Sequence, residues 1–85
     1  MKINLRFFAS VREAVGAAAE SIELPEGVRT VGEVRDLLTA RGGAWAEALG
    51  HGRALRTAVN QQMCGPDAAI VDGGEVAFFP PVTGG

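Results

Sequence analysis

Thr30-Val31-Gly32-Glu33-Val34-Arg35-Asp36-Leu37-Leu38 begins with a hydroxyl and a carboxylate three residues apart. In that spacing the two side chains satisfy the first unpaired amides of a helix and so mark its start. Val31, Val34 and Leu38, with Leu37 beside them, then fall on one face at helical spacing, and Gly42-Gly43 is the expected stop. This is the main helix, and the residues on either side of it read differently. Upstream, Ile3, Leu5 and Phe7 alternate with Lys2, Asn4 and Arg6, the period-2 pattern of a half-buried strand. Ser10-Val11-Arg12-Glu13 repeats the capping-box form and predicts a short helix stopped at Gly16. A second strand alternates Ser21 and Glu23 with Ile22 and Leu24, ends at Pro25-Glu26-Gly27, and should pair antiparallel with the first.

Downstream, Trp45 and Leu49 stand four apart and suggest another helical turn, after which Gly50 and Gly52 loosen the chain. Leu55, Thr57 and Val59 set the parity of a third strand. A turn near Asn60 to Gln62 leads to a brief strand around Met63 and Cys64, and Asp72-Gly73-Gly74 launches a last strand, Glu75 to Phe79. Two strands, a covering helix and further strands make an α+β roll. The order β-β-α-β-β matches a β-grasp, ubiquitin-like fold in which one face of the sheet packs on the main helix and the other is left open. Periodicity alone leaves the strand neighbours undetermined.

At 85 residues the chain is one domain, and 47% hydrophobic residues suffice for one compact core. The net charge of -2, with basic residues scattered from Lys2 to Arg56, provides no footprint for nucleic acid or an anionic membrane, so the expected partners are proteins. No apolar stretch has the length of a membrane span, and the alternating start is unlike a signal peptide, so a cytoplasmic protein is the simplest reading. One cysteine, Cys64, and one histidine, His51, give no metal-ligand spacing. Cys64 is expected as a small buried hydrophobe, and His51, between two glycines, as an ordinary loop residue. Internal repeats, low-complexity tracts and linkers are absent.

After Phe79 comes Pro80-Pro81-Val82-Thr83-Gly84-Gly85. The prolines lack backbone donors and hold φ near -65°, so the last strand cannot run through them. Without side chains, Gly84 and Gly85 let a terminal carboxylate enter a channel too narrow for a branched residue. Fully extended, the segment reaches roughly 20 Å, at about 3.3 to 3.6 Å per residue. The division expected is a body over residues 1–79 and a flexible, extended tail over 80–85. The competing reading is a frayed end without use. At the tail's root, strand parity sends Phe7 and Phe78 into the core and leaves Phe8 and Phe79 for the open face, with Met63 as a candidate to join them. Such an exposed aromatic cluster is an expected docking surface, unless it packs on loops instead.

Leu5-Arg6-Phe7-Phe8-Ala9 with Val11-Arg12-Glu13, Ala58-Val59-Asn60-Gln61, and the run from Asp72 through Phe78-Phe79-Pro80-Pro81-Val82-Thr83-Gly84-Gly85 resemble the MoaD-type sulfur carriers, the small subunits of molybdopterin synthase. The likeness extends over essentially the whole chain. A closing Gly-Gly is common to all ubiquitin-like carriers, whereas the full ending from Asp72 is much more specific. The middle, Ala17 to Arg56, carries little beyond the fold pattern. The resemblance implies a non-catalytic carrier whose Gly85 carboxylate is adenylated by a MoeB-type enzyme with ATP and magnesium, then converted to a thiocarboxylate by a sulfur donor protein. The tail, Pro80, Pro81, Val82, Thr83 and Gly84, is threaded into a MoaE-type large subunit, where sulfur passes to precursor Z (cyclic pyranopterin monophosphate) to build the molybdopterin dithiolene. It further implies a heterotetramer with the large subunit, and no metal or cofactor bound by this chain. The alternatives are a sulfur carrier for thiamine or cysteine synthesis, a ubiquitin-like protein modifier, and an adaptor with an idle tail.

Overall fold

The computed structural model describes residues 1–81. In chain order the elements are β1 (Lys2–Phe7), α1 (Ala9–Val15), β2 (Ala19–Glu23), α2 (Val31–Thr39), α3 (Gly43–Leu49), β3 (Arg56–Val59), β4 (Gln62–Cys64) and β5 (Glu75–Phe79). The strands form one sheet in the order β2-β1-β5-β3-β4. β1 runs parallel to β5, and the other three pairings are antiparallel, so the sheet is mixed. The first and last strands of the chain thus lie side by side at its centre, the β-grasp arrangement, with β2 and β4 as edges.

Alternation in β1 behaves as its sequence predicts: Ile3, Leu5 and Phe7 are buried while Lys2, Asn4 and Arg6 are exposed. From β5, Val76 and Phe78 join them, and Val31, Val34 and Leu38 of α2 close the other side of the core, with Val11, Leu24, Leu49 and Ile70 filling the ends. Phe7 stacks on Phe78 at 6.2 Å between ring centroids and meets Trp45 of α3 edge-on at 5.4 Å. Both are favoured aromatic geometries.

The two capping boxes differ in outcome. At α2 the box forms in full: the Thr30 hydroxyl accepts from the Glu33 amide at 3.2 Å, and the Glu33 carboxylate accepts from the amide of Thr30 at 3.0 Å. It also accepts from the Arg29 amide at 2.9 Å. Loss of an N-cap hydroxyl costs about 1 kcal/mol. Thr30→Ala should therefore lower the melting temperature by about 4–8 °C, the scale for a domain of this size; an unchanged melting curve would deny the cap its role.

The box expected at Ser10 does not form. α1 starts at Ala9, directly after β1, with the extended residue Phe8 in the cap position and no side-chain cap bond. Ser10 thus lies already inside the helix, where its hydroxyl cannot reach back to cap it. The expected stop at Gly16 does hold, since its φ of 76° is the left-handed conformation that closes a helix. α2 ends at Thr39 with Ala40 as cap, three residues before the expected Gly42-Gly43, and Gly43 instead opens α3.

Asn60 and Gln61 form the two-residue β3–β4 turn, both with positive φ (48° and 69°), as a twist-matched hairpin requires. Asn60 Oδ1 also accepts from the Glu75 amide at 2.9 Å, tying this turn to the start of β5. The Asp72-Gly73-Gly74 turn is equally tight: a Cβ at Gly74 would lie 2.9 Å from the Val71 carbonyl oxygen. Cys64 is half-buried against the core rather than enclosed, with its sulfur 3.8 Å from the Thr57 hydroxyl. Among the described residues no helix is long and apolar enough to cross a membrane.

Candidate functional site: the open face at the root of the tail

Cross-strand register assigns the residues of the sheet face turned away from α2. Arg6 of β1 lies beside Ala77 of β5, which lies beside Ala58 of β3, which lies beside Met63 of β4. One step closer to the tail, Phe79 is opposite Arg56. Phe8 continues the outward parity of β1, and its amide donates to the Phe78 carbonyl at 3.1 Å, extending the ladder beyond β1.

Phe8 and Phe79 meet edge-on, with centroids 6.2 Å apart. Phe8 nevertheless stays 41% exposed and Met63 58%, while Phe79 is half-buried. Ala58 and Ala77 lie between them, only 6% and 5% exposed although they belong to the open face. Their methyl groups form a shallow floor shaded by larger neighbours. The structure therefore places Phe8, Phe79 and Met63 on one face, with the phenylalanines in contact and Met63 at the far edge on β4.

Pro80 and Pro81 leave this surface half-buried, and Pro80 lines a cleft between α1 and α3 together with Ala14, Ala48 and Leu55. Val82, Thr83, Gly84 and Gly85, which carry the remaining tail and sulfur-bearing assignments, lie outside the described residues.

Two arginines, neither of them among the residues expected at this surface from the sequence, flank the apolar patch. The Arg6 guanidinium sits 5.5 Å from the Phe8 ring centroid, a cation–π distance, and 3.7 Å from the Glu75 carboxylate. Arg56 is exposed beside Phe79. Parity could have found both, since each sits one residue out of phase with the core positions of its strand. Ala58 and Ala77 gave no such signal, because alanine fits either face.

Three other polar arrangements support the body. Arg35 of α2 donates to the carbonyls of Leu49, Gly50 and Arg53 at 2.6 to 2.9 Å, fixing the exit from α3, and burial lowers its pKa. His51, an exposed loop residue as expected, places Nε2 2.5 Å from Asp36 Oδ1, on an exposed side of α2. Arg41 clasps Glu20 of β2 through two hydrogen bonds, at 3.0 and 2.5 Å, with its guanidinium 4.5 Å from the Trp45 ring centroid.

The Arg41 hydrogen bonds hold Glu20 below its ordinary value of 4.5. A carboxylate with a depressed folded-state pKa contributes stability above its unfolded pKa and loses it as pH falls through the folded value. Glu33, hydrogen-bonded to the Arg29 amide and Thr30, acts in the same window. Stability should therefore drop below about pH 4.5, and Glu20→Gln should flatten part of that drop in melts from pH 3 to 6. An identical acid limb in the variant would remove the Arg41 clasp from the account.

Among the described residues no three His, Cys, Asp or Glu side chains gather where they could hold a metal ion. The arrangement is suited to docking: an apolar surface, continuous with an exiting segment.

The sequence pattern of the ThiS family matches residues 5–85. The chain belongs to the ThiS family. Two relatives of this ThiS-family chain have the same name, molybdopterin synthase sulfur carrier subunit. The Escherichia coli protein is 46% identical over 83 residues, covering 98% of this chain and 99% of its own length. The Haemophilus influenzae protein is 42% identical with the same coverage. Among solved structures, a Pyrococcus furiosus protein described as a putative molybdopterin converting factor, subunit 1, superposes with a TM-score of 0.77 at 29% identity. It covers 96% of this ThiS-family chain and 99% of its own. The β-grasp expected from element order is thus the fold both of the chain and of its structural neighbours.

Proposed function

We propose that this chain is the sulfur carrier subunit of a molybdopterin synthase. The observation that carries the reading is the full-length relationship to proteins of that name, at 46% and 42% identity. The open face adds physical support, because β5 ends at Phe79, in edge-on contact with the exposed Phe8, and the prolines follow directly. In this reading residues 1–79 are the docking body and 80–85 the delivery segment, with Phe8, Met63 and Phe79 as contacts for the partner.

The chemistry resides in the Gly85 carboxylate. With an unperturbed pKa of about 3.3 to 3.7 it is ionised at neutral pH and is a poor electrophile. A MoeB-type enzyme, using ATP and magnesium, joins it to AMP and releases pyrophosphate. A sulfur donor protein then displaces AMP, leaving a thiocarboxylate. Inside a MoaE-type large subunit that sulfur passes to precursor Z (cyclic pyranopterin monophosphate), toward the dithiolene of molybdopterin, and water cleaves the acyl–sulfur bond so that the carrier returns as the carboxylate. Catalytic groups for each step belong to the partners, in the cytoplasm, and the synthase pairs two carriers with two large subunits. Pro80, Pro81, Val82, Thr83 and Gly84 are threaded, and Gly85 bears the sulfur.

The test is to mix the chain with a MoeB-type enzyme, ATP, magnesium and sulfide, and to follow its intact mass. Exchange of one carboxylate oxygen for sulfur adds about 16 Da. An unchanged mass, under conditions that load a known carrier, would overturn the reading. A ladder of larger conjugates would point to a protein modifier.

A further inference from the structure

At the tail end of the open face, the only charged side chains among the described residues in the two rows nearest Phe79 are Arg6 and Arg56, although the whole chain carries a net charge of -2. Both stand on the rim of the apolar floor made by Ala58 and Ala77, Arg6 on its β1 side and Arg56 next to Phe79. Glu75, one row further from the tail, lies 3.7 Å from Arg6 and offsets part of its charge, whereas no salt bridge involves Arg56 among the described residues. The Arg6 side chain is 47% exposed, so its guanidinium remains open to a second carboxylate.

We propose that the partner receiving the tail presents an apolar socket rimmed by Asp or Glu carboxylates, which pair with Arg6 and Arg56 and set the register of docking. The inference rests on the sulfur-carrier reading and specifies the chemistry of the surface that the larger synthase subunit turns toward this chain. Charge complementarity carries it: a cationic rim around an apolar centre favours an anionic counterpart, and arginine's planar fork suits paired recognition of carboxylates. Rim charges act mainly on the rate of encounter and make it sensitive to salt. Because the patch is continuous with the exit of residue 80, pairing there aims the following residues before they are threaded.

The experiment measures association between the full chain and its cognate large subunit at about 0.05 M and 0.5 M salt, spanning strong and weak screening. Arg6→Glu/Arg56→Glu should bind about 30-fold more weakly at the lower salt, mostly through slower association, and approach the wild type at the higher. Arg6→Gln/Arg56→Gln should fall between them. Arg29→Glu, at the opposite end of the sheet near Met1 and Pro25, makes a single reversal away from the patch and should bind as the wild type does. Melting curves check that the variants fold. If the wild type binds and the arginine variants bind equally well at both salts, the acidic socket is wrong and the carrier reading stands. If the variants lose affinity equally at both salts, the arginines act through packing and not through their charge, and the socket is again wrong. If the wild type does not bind the large subunit at all, both fall together.

Discussion

Gly85→Val should abolish sulfur loading, with no gain of about 16 Da in the presence of a MoeB-type enzyme, ATP, magnesium and sulfide. The argument is steric. In the proposed cycle two unrelated enzymes each reach the same carbonyl carbon, and a β-branched side chain next to it would crowd the approach in both. Misplacement of a reacting atom by about 1 Å can cost 10²-fold in rate, so a loss of at least that order is expected. Deletion of Gly85 should fail as well, by shortening the reach of the segment by about 3.3 to 3.6 Å. The body should be unaffected, because the buried core that the structure describes is built by residues between Ile3 and Phe78. Normal loading with unchanged melting would leave the sulfur-carrying role of Gly85 without support. Loss of loading together with loss of folding would show instead that the segment belongs to the body.

Phe79→Asp should weaken binding to the large subunit about 100-fold. Phe79 is already half-buried against Phe8, so docking removes only its remaining apolar surface, worth about 1–2 kcal/mol. An aspartate held in the same contact would add the cost of an unsatisfied polar group, about 1–3 kcal/mol. The two together, near 3 kcal/mol, correspond to about two orders of magnitude in affinity. Phe79→Ala separates these effects and should cost only about tenfold. Both substitutions fall at the end of β5, so calorimetry of the complex and of the free chain can distinguish docking from folding. Unchanged affinity in both variants would take Phe79 out of the interface.

Much of the body was legible because its signals are local. The alternation of Ile3, Leu5 and Phe7, the box at Thr30 and the turn at Asn60 each depend on a few neighbouring residues, and each is built as its sequence implies. The failed box at Ser10 had the same local form. It gave way because β1 runs straight into α1 and places Phe8 in the cap position, which the spacing of Ser and Glu cannot reveal. Pairings between distant residues left no mark at all: β1 beside β5, Glu20 with Arg41, and His51 with Asp36. At the candidate site, parity singled out Phe8 and Phe79, and the structure brings them into contact. The floor of Ala58 and Ala77 depends on larger side chains overhanging it from neighbouring strands, a relation visible only once the strand order is known.

The central position of β5 has a mechanical consequence. It is hydrogen-bonded along its length to β1 on one side and β3 on the other, and Phe8 and Arg56 extend these ladders to its last residues. A pull applied at Phe79 along the strand axis would load both ladders in shear and strain many bonds at once instead of peeling them one at a time. In the proposed cycle, an enzyme that draws the final residues into a tunnel would therefore pull on a strand anchored on both sides.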